Sequence, residues 1–152
     1  MVNNNEAFAH YIDIMWEKEQ RSPAELDGLV DQIAAQVIPQ VDCTQCGNCC
    51  RGFQVGITPD DLPQLEQVLD QPPEQLLKFD HDGEWAVFHG PPCPFLRPDN
   101  LCQIYSHRPE ACRIYPSLTP DFLWLMDVIM VGAAHCRIIE RVIEQLKIEL
   151  GW

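Results

Sequence analysis

The stretch Cys43-Thr44-Gln45-Cys46-Gly47-Asn48-Cys49-Cys50 puts four thiols into eight residues, and four more follow at Cys93, Cys102, Cys112 and Cys136. One or two buried cysteines can act as small hydrophobes, but four in so short a stretch crowd reactive groups where Val or Ala would pack as well. The chemistry that suits this density is metal binding. Two thiols spaced C-x2-C can converge on one ion across a tight turn, and Gly47 lets the backbone fold back and aim amide N–H groups at sulfur. C-x2-C-x2-C is also the run that wraps a [4Fe–4S] cluster, and Cys93-Pro94 supplies the remote Cys-Pro that accompanies it.

Side chains of the neighbours Cys49 and Cys50 diverge, so both reaching one ion through the same backbone is awkward. Two sites sharing the loop would resolve this, and eight thiols divide into two sets of four; one cluster with accessory cysteines fits as well. A four-thiolate site around Zn2+ or [4Fe–4S]2+ carries about −2 by ligand counting, which an acidic chain must offset locally. Arg51, Arg113 and Arg137 each directly follow a cysteine, and Arg108 lies four residues before Cys112. They read as counter-charge or as donors to sulfur, with ordinary surface arginines as the plain alternative.

Ser106-His107-Arg108-Pro109-Glu110 reads as a helix entry with Pro109 in the first turn, setting Cys112 a turn further on. Ile104, Tyr105, Ile114 and Tyr115 are expected to wall the site from water, or simply to pack in the core. His107 and His135 are candidate ligands or proton carriers, although eight thiols already suffice for two sites. His10, His81 and His89 read as surface or strand residues, and "HDGEW" at 81–85 as a turn. The sequence has no His-Asp-Ser order, no paired-carboxylate motif and no glycine-rich phosphate loop.

With those residues in view, the chain resembles the YkgJ-like cysteine-cluster family of zinc- or iron-chelating or Fe–S-cluster-containing proteins. The matching stretches are "CTQCGNCC" at 43–50, "CPFL" at 93–96 and "CQIYSHRPEACRIYP" at 102–116, with a last cysteine at 136, over roughly residues 41 to 138. The resemblance implies metal binding without fixing a reaction. Flagellin lysine methylases carry a similar cluster, so a methyl transferase role stands as a third reading, for which the sequence offers no cofactor-binding motif. The first reading is a [4Fe–4S] protein for electron transfer or metal handling. The second is a zinc-stabilised four-thiolate module for protein contact.

Composition bounds the rest. The 152 residues, 46% hydrophobic and 22% charged, are ordinary for one globular domain. A net charge of −13 leaves no basic stripe to neutralise phosphates, so nucleic acid is not expected as a partner. A solvated acidic surface accounts for the charge; a basic protein partner would also suit it. The N-terminal "MVNNNEAFAHYIDIMWEKEQR" has no basic region followed by an apolar one, so a cytoplasmic, reducing compartment is expected. The longest apolar run, Phe122 to Ala134, contains Asp127 and is shorter than the roughly 20 residues that span a bilayer, so it reads as a buried core segment with no membrane role.

The elements that must position the cysteines are mainly helical, giving a small α+β metal-binding domain. Residues 1–40 read as a helical hairpin: Phe8, Tyr11, Ile12, Met15 and Trp16 form one stripe, and Ser22-Pro23-Ala24-Glu25 is a capping box opening a helix to about Ile38. A dimerisation role for the hairpin is open. The cysteine-cluster core spans 41–138. In it "GFQVGIT", "EWAVFHG" and "LCQIY" read as short strands, Thr58-Pro59-Asp60-Asp61 as a helix start and "EQLLKF" as a short helix. A long C-terminal helix covers 132–150, its apolar side Ile138, Ile139, Val142, Ile143, Leu146 and Leu150, with Gly151 placed to end it.

Overall fold

The computed structural model describes residues 4–72, 75–79 and 86–152. In chain order it contains α1 (Asn5–Glu17), α2 (Pro23–Val37), α3 (Cys43–Cys46), α4 (Asn48–Gly52), β1 (Gly56–Ile57), α5 (Leu62–Glu66), β2 (Leu77–Phe79), β3 (Ala86–Phe88), α6 (Glu110–Ile114), α7 (Phe122–Gly132) and α8 (Arg137–Leu150). Short 3-10 turns stand at Ile38–Gln40, Pro59–Asp61 and Tyr105–His107. The protein is mainly helical, with a small antiparallel sheet of order β1-β3-β2. Two compact units form, one from Met1–Val41 with Pro116–Trp152 and one from Asp42–Tyr115. Seven cysteines belong to the second unit and Cys136 to the first.

The first unit is built from amphipathic helices. Leu26, Val30, Ile33 and Val37 of α2 recur on one face and are buried, as are Phe8 and Ile12 of α1. α2 packs against α7 and α8, α1 against α7, and α7 against α8. The Ser22 hydroxyl accepts from the Glu25 N–H and the Glu25 carboxylate accepts from the Ser22 N–H, completing the expected capping box. Asp121 has a left-handed backbone and no side-chain cap of its own. The start of α7 is instead held by Asp27 of α2, whose carboxylate accepts from the Asp121 and Phe122 N–H groups, both at 2.9 Å.

Two expectations fail here. The C-terminal helix begins at Arg137 rather than near 132, because α7 ends at Gly132 and the chain must reverse through Cys136, whose backbone is extended, before α8 can pack back on α7. The run from Phe122 is not wholly buried either. Phe122, Leu123, Met126, Ile129 and Met130 face inward, while Trp124, Val128 and Val131 are exposed, since helical periodicity turns only one face to the neighbouring helices.

In the second unit Ile57, Leu65, Leu77, Ala86, Phe88, Phe95 and Ile104 form an apolar cluster, and Cys93 and Cys102 pack against it. The sheet register pairs Gly56 with Val87 and Leu77 with Phe88. "EQLLKF" is corrected: Leu77–Phe79 is a strand, drawn into extended conformation by pairing with β3. Of "GFQVGIT" only Gly56–Ile57 is strand, with the Val55 carbonyl accepting one further bond from the Phe88 N–H at 3.2 Å. "LCQIY" is no strand beyond a single bridge from Leu96 to Cys102, after which the chain enters the Tyr105–His107 turn. The expected turn at 81–85 and His81 lie outside the described residues.

Candidate metal centre

The cysteine-rich loop is two short helical turns hinged at Gly47. Asp42 opens α3 by accepting from the Thr44 N–H at 3.0 Å. Gly47 takes φ +65°, and a Cβ there would meet the Arg51 guanidinium at 3.1 Å and Leu96 at 3.3 Å. Glycine is therefore favoured by the left-handed backbone, and a side chain there would press on the ends of Arg51 and Leu96. Arg51 itself donates to the Cys46 carbonyl at 3.2 Å and to the Asn100 carboxamide oxygen. It thus ties the loop to the turn that precedes Cys102.

Backbone hydrogen bonds then bring separate segments to Cys50. The Cys93 N–H donates to the Cys50 carbonyl at 2.7 Å. A tight turn follows, with Leu96 N–H on the Cys93 carbonyl at 3.1 Å, and the N–H groups of Phe95 and Leu96 also serve the Cys93 sulfur. The Leu96 to Cys102 bridge, extended by Gln103 N–H on the Phe95 carbonyl at 2.9 Å, returns Cys102 to the same place. Cys112 comes from α6, its N–H on the Pro109 carbonyl at 3.0 Å.

Burial and neighbouring charge act on these half-buried thiols. Burial pushes the Cys50 thiol above its ordinary value, and the charge of Cys102 adds to it, with Cys46 a smaller contributor. Burial raises Cys93 as well, opposed by the Phe95 and Leu96 N–H groups and reinforced by Cys50 and Cys102. Cys112 is pushed up to about 12, first by burial and then by Cys93, Cys50 and Cys102. Part of the cause is plain from the fold: Cys93 packs at the edge of the apolar cluster, where a lone thiolate is poorly solvated.

Thiols brought from separate segments of one unit have the soft donor chemistry that a zinc ion or an iron–sulfur cluster takes. Among the described residues no group of three or more His, Cys, Asp or Glu is already arranged to hold an ion. The sulfurs are gathered without being closed on a point. Their donor chemistry fits the group, and the raised thiol values mean that a cation must displace protons to bind.

A family model for the CxxCxxCC domain, described as a "putative zinc- or iron-chelating domain", matches residues 42–130, more than half of the chain. The chain belongs to the CxxCxxCC family. No curated protein and no solved structure matches it. The zinc- or iron-chelating character of the CxxCxxCC domain agrees with the gathered thiols, and metal binding by this chain follows from it. The match takes in Cys43, Cys46, Cys49, Cys50, Cys93, Cys102 and Cys112, and stops short of Cys136.

Within the CxxCxxCC chain the remaining sequence candidates fall in several places. Cys43 is exposed and Cys49 half-buried, on α3 and α4 of the second unit; Cys136 is buried, at the start of α8 in the first. His107 ends a 3-10 turn with its N–H on the Ile104 carbonyl at 2.8 Å, and His135 is exposed in the first unit. The counter-charge reading holds for two arginines: Arg51 lowers Cys50 and Arg108 lowers Cys112, each against larger opposing effects. Arg113 instead donates to the Arg108 carbonyl at 2.6 Å.

The expected wall is only partly there. Ile104 is buried, but Tyr105 and Ile114 are exposed, and the Tyr105 ring carries the Arg108 guanidinium 3.8 Å above its centre. Tyr115 packs on Phe53 with ring centres 5.8 Å apart. The cleft beside Cys93, lined by Phe53, Val55, Phe88 and His89, has no interior large enough for a water molecule, so it is no substrate chamber. Among the described residues no helix is long and apolar enough to cross a membrane. Sequence reading missed Asp61, taken only as an acidic residue in a helix start. Its buried carboxylate reaches 49 residues along the chain to the N–H of Glu110.

Proposed function

We propose that Cys50, Cys93, Cys102 and Cys112 hold a [4Fe–4S] cluster, and that the chain serves electron transfer or the handling of metal and clusters for other proteins. The observation that carries this reading is the backbone bonding that brings Cys93 to Cys50, through the Cys93 N–H on the Cys50 carbonyl, and returns Cys102 beside the Cys93 turn through its bridge with Leu96, with Cys112 supplied by α6 of the same unit. When bound, a cluster there would supply one-electron redox chemistry. The chain's own residues do the rest. Phe95 and Leu96 turn N–H groups to sulfur, Arg51 and Arg108 offset charge, and the apolar cluster behind Cys93 and Cys102 limits water on that side. Cys43, Cys46 and Cys49 form the C-x2-C-x2-C run itself and are candidates for a second set of ligands.

Zinc is the alternative occupant, favoured by the short, loop-rich segments around these thiols, which a structural ion would staple together. In that case the chain would act through protein contact. Either way a protein partner with basic surface suits the charge of −13. Anaerobic purification with iron, zinc and acid-labile sulfide analysis tests the choice. Roughly four irons with matching sulfide and a visible absorption that bleaches with dithionite support the cluster. About one or two zincs with no sulfide and no colour would replace it by the zinc module.

A further inference from the structure

The 3-10 turn Pro59–Asp61 and α5 lie far before α6 in sequence, Asp61 being 49 residues from Glu110, yet two side chains of that segment hold the strap that leads into α6. Asp61 is 2% exposed, and its two carboxylate oxygens have separate tasks. Oδ2 accepts from the Thr58 N–H at 2.9 Å and the Thr58 hydroxyl at 3.0 Å, which is the local cap. Oδ1 is not needed for that cap. It accepts from the Glu110 N–H at 2.9 Å, the first residue of α6. Three residues on from Asp61, Gln64 Nε2 donates to the Arg108 carbonyl at 3.1 Å.

These bonds fix the strap at Arg108 and at Glu110, and Cys112 follows two residues later. A five-residue helix has little stability of its own and takes its position from what grips its ends. A buried acceptor is a strong grip, because its loss leaves an N–H unsatisfied. Nothing in capping demands that the same carboxylate serve both elements. What the second oxygen adds is the placement of α6.

We propose that Asp61 is a positioning residue of the metal centre: through its second carboxylate oxygen it sets where the Cys112 sulfur stands relative to Cys50, Cys93 and Cys102. This rests on the four-thiol reading above. It goes beyond it by placing part of the site's precision in a residue that touches no metal.

The experiment is a double-mutant cycle on zinc affinity, measured on the reduced, metal-free chain by competition with a chromophoric chelator. Asp61→Asn keeps the size but cannot accept on both sides, and it should weaken zinc binding about 10- to 100-fold, the range for partners that orient ligands. In a Cys112→Ser background, with the positioned sulfur gone, the same change should cost less than about threefold. Equal losses in both backgrounds would overturn the proposal, since Asp61 would then act on the fold as a whole. So would no loss in the first. If Cys112→Ser alone leaves zinc affinity unchanged, the four-thiol reading fails at Cys112 and takes the proposal with it, a distinct outcome. Should Asp61→Asn not fold, Glu110→Pro replaces it. It removes the donor, keeps the Thr58 cap, suits the first helical position, and follows a Pro109 whose ψ of 155° a following proline tolerates. The same pattern across the two backgrounds is expected, and its absence overturns the proposal equally.

Discussion

Metal capture by this chain should release protons, and the number can be worked from the site. Cys50, Cys93 and Cys112 all have values raised above 9.0, Cys112 to about 12, so at neutral pH all three are thiols. A thiolate-bound ion must displace a proton from each. By linkage, the logarithm of the zinc affinity then rises by at least about three per pH unit, near 4 kcal/mol per unit at 1.4 kcal/mol per proton. The assay is chelator competition between about pH 6.5 and 8, corrected for the chelator's own protonation, with calorimetry in buffers of different ionisation enthalpy as an independent proton count. Cys112→Ser should lower the count by one. A slope of one or less in the wild-type chain would refute the reasoning, because the buried thiols would then not be the ligands.

The same raised values act oppositely on the metal-free chain. A group whose folded value lies above its unfolded one stabilises the fold below the unfolded value and ceases to do so as pH rises toward the folded one. Reduced, metal-free protein should therefore lose stability between pH 9.0 and about 12, as urea unfolding at stepped pH would reveal. Gly47→Ala, forced into a left-handed backbone against Arg51 and Leu96, should destabilise the second unit by about 1–2 kcal/mol; an unchanged denaturation midpoint would speak against the hinge. Leu65→Ala, in the fully buried core of that unit, should cost about 2–5 kcal/mol in the metal-free chain, with part of the lost midpoint recovered when zinc is added in excess.

What could be read from sequence was what local chemistry decides. The Ser22 capping box, the end of α2 before Pro39 and the left-handed Gly151 after α8 each need only residues within a few positions, and each stands as expected. The cysteine spacing likewise announced metal chemistry. What was lost depended on partners far along the chain. Leu77–Phe79 becomes a strand because β3 pairs with it, and no local pattern in "EQLLKF" encodes that. The break between α7 and α8 follows from their packing on each other, and the exposed Trp124 and Val128 from the direction in which α7 finds its neighbours. Spacing left the division of the eight cysteines open, since the gathering of Cys93 and Cys102 is made by turns closed through backbone bonds. Asp61 escaped for a related reason: a carboxylate has two oxygens, and the Thr58-Pro59-Asp60-Asp61 pattern speaks only for one.

The central claim is that sulfur from cysteine surrounds the metal, and X-ray absorption at the metal edge of anaerobically purified protein tests it most directly. The account predicts a first shell of four sulfur scatterers, at about 2.3 Å if the ion is zinc, falling to three sulfurs or losing the metal altogether in Cys112→Ser. A shell dominated by nitrogen or oxygen, unchanged by that substitution, would contradict it.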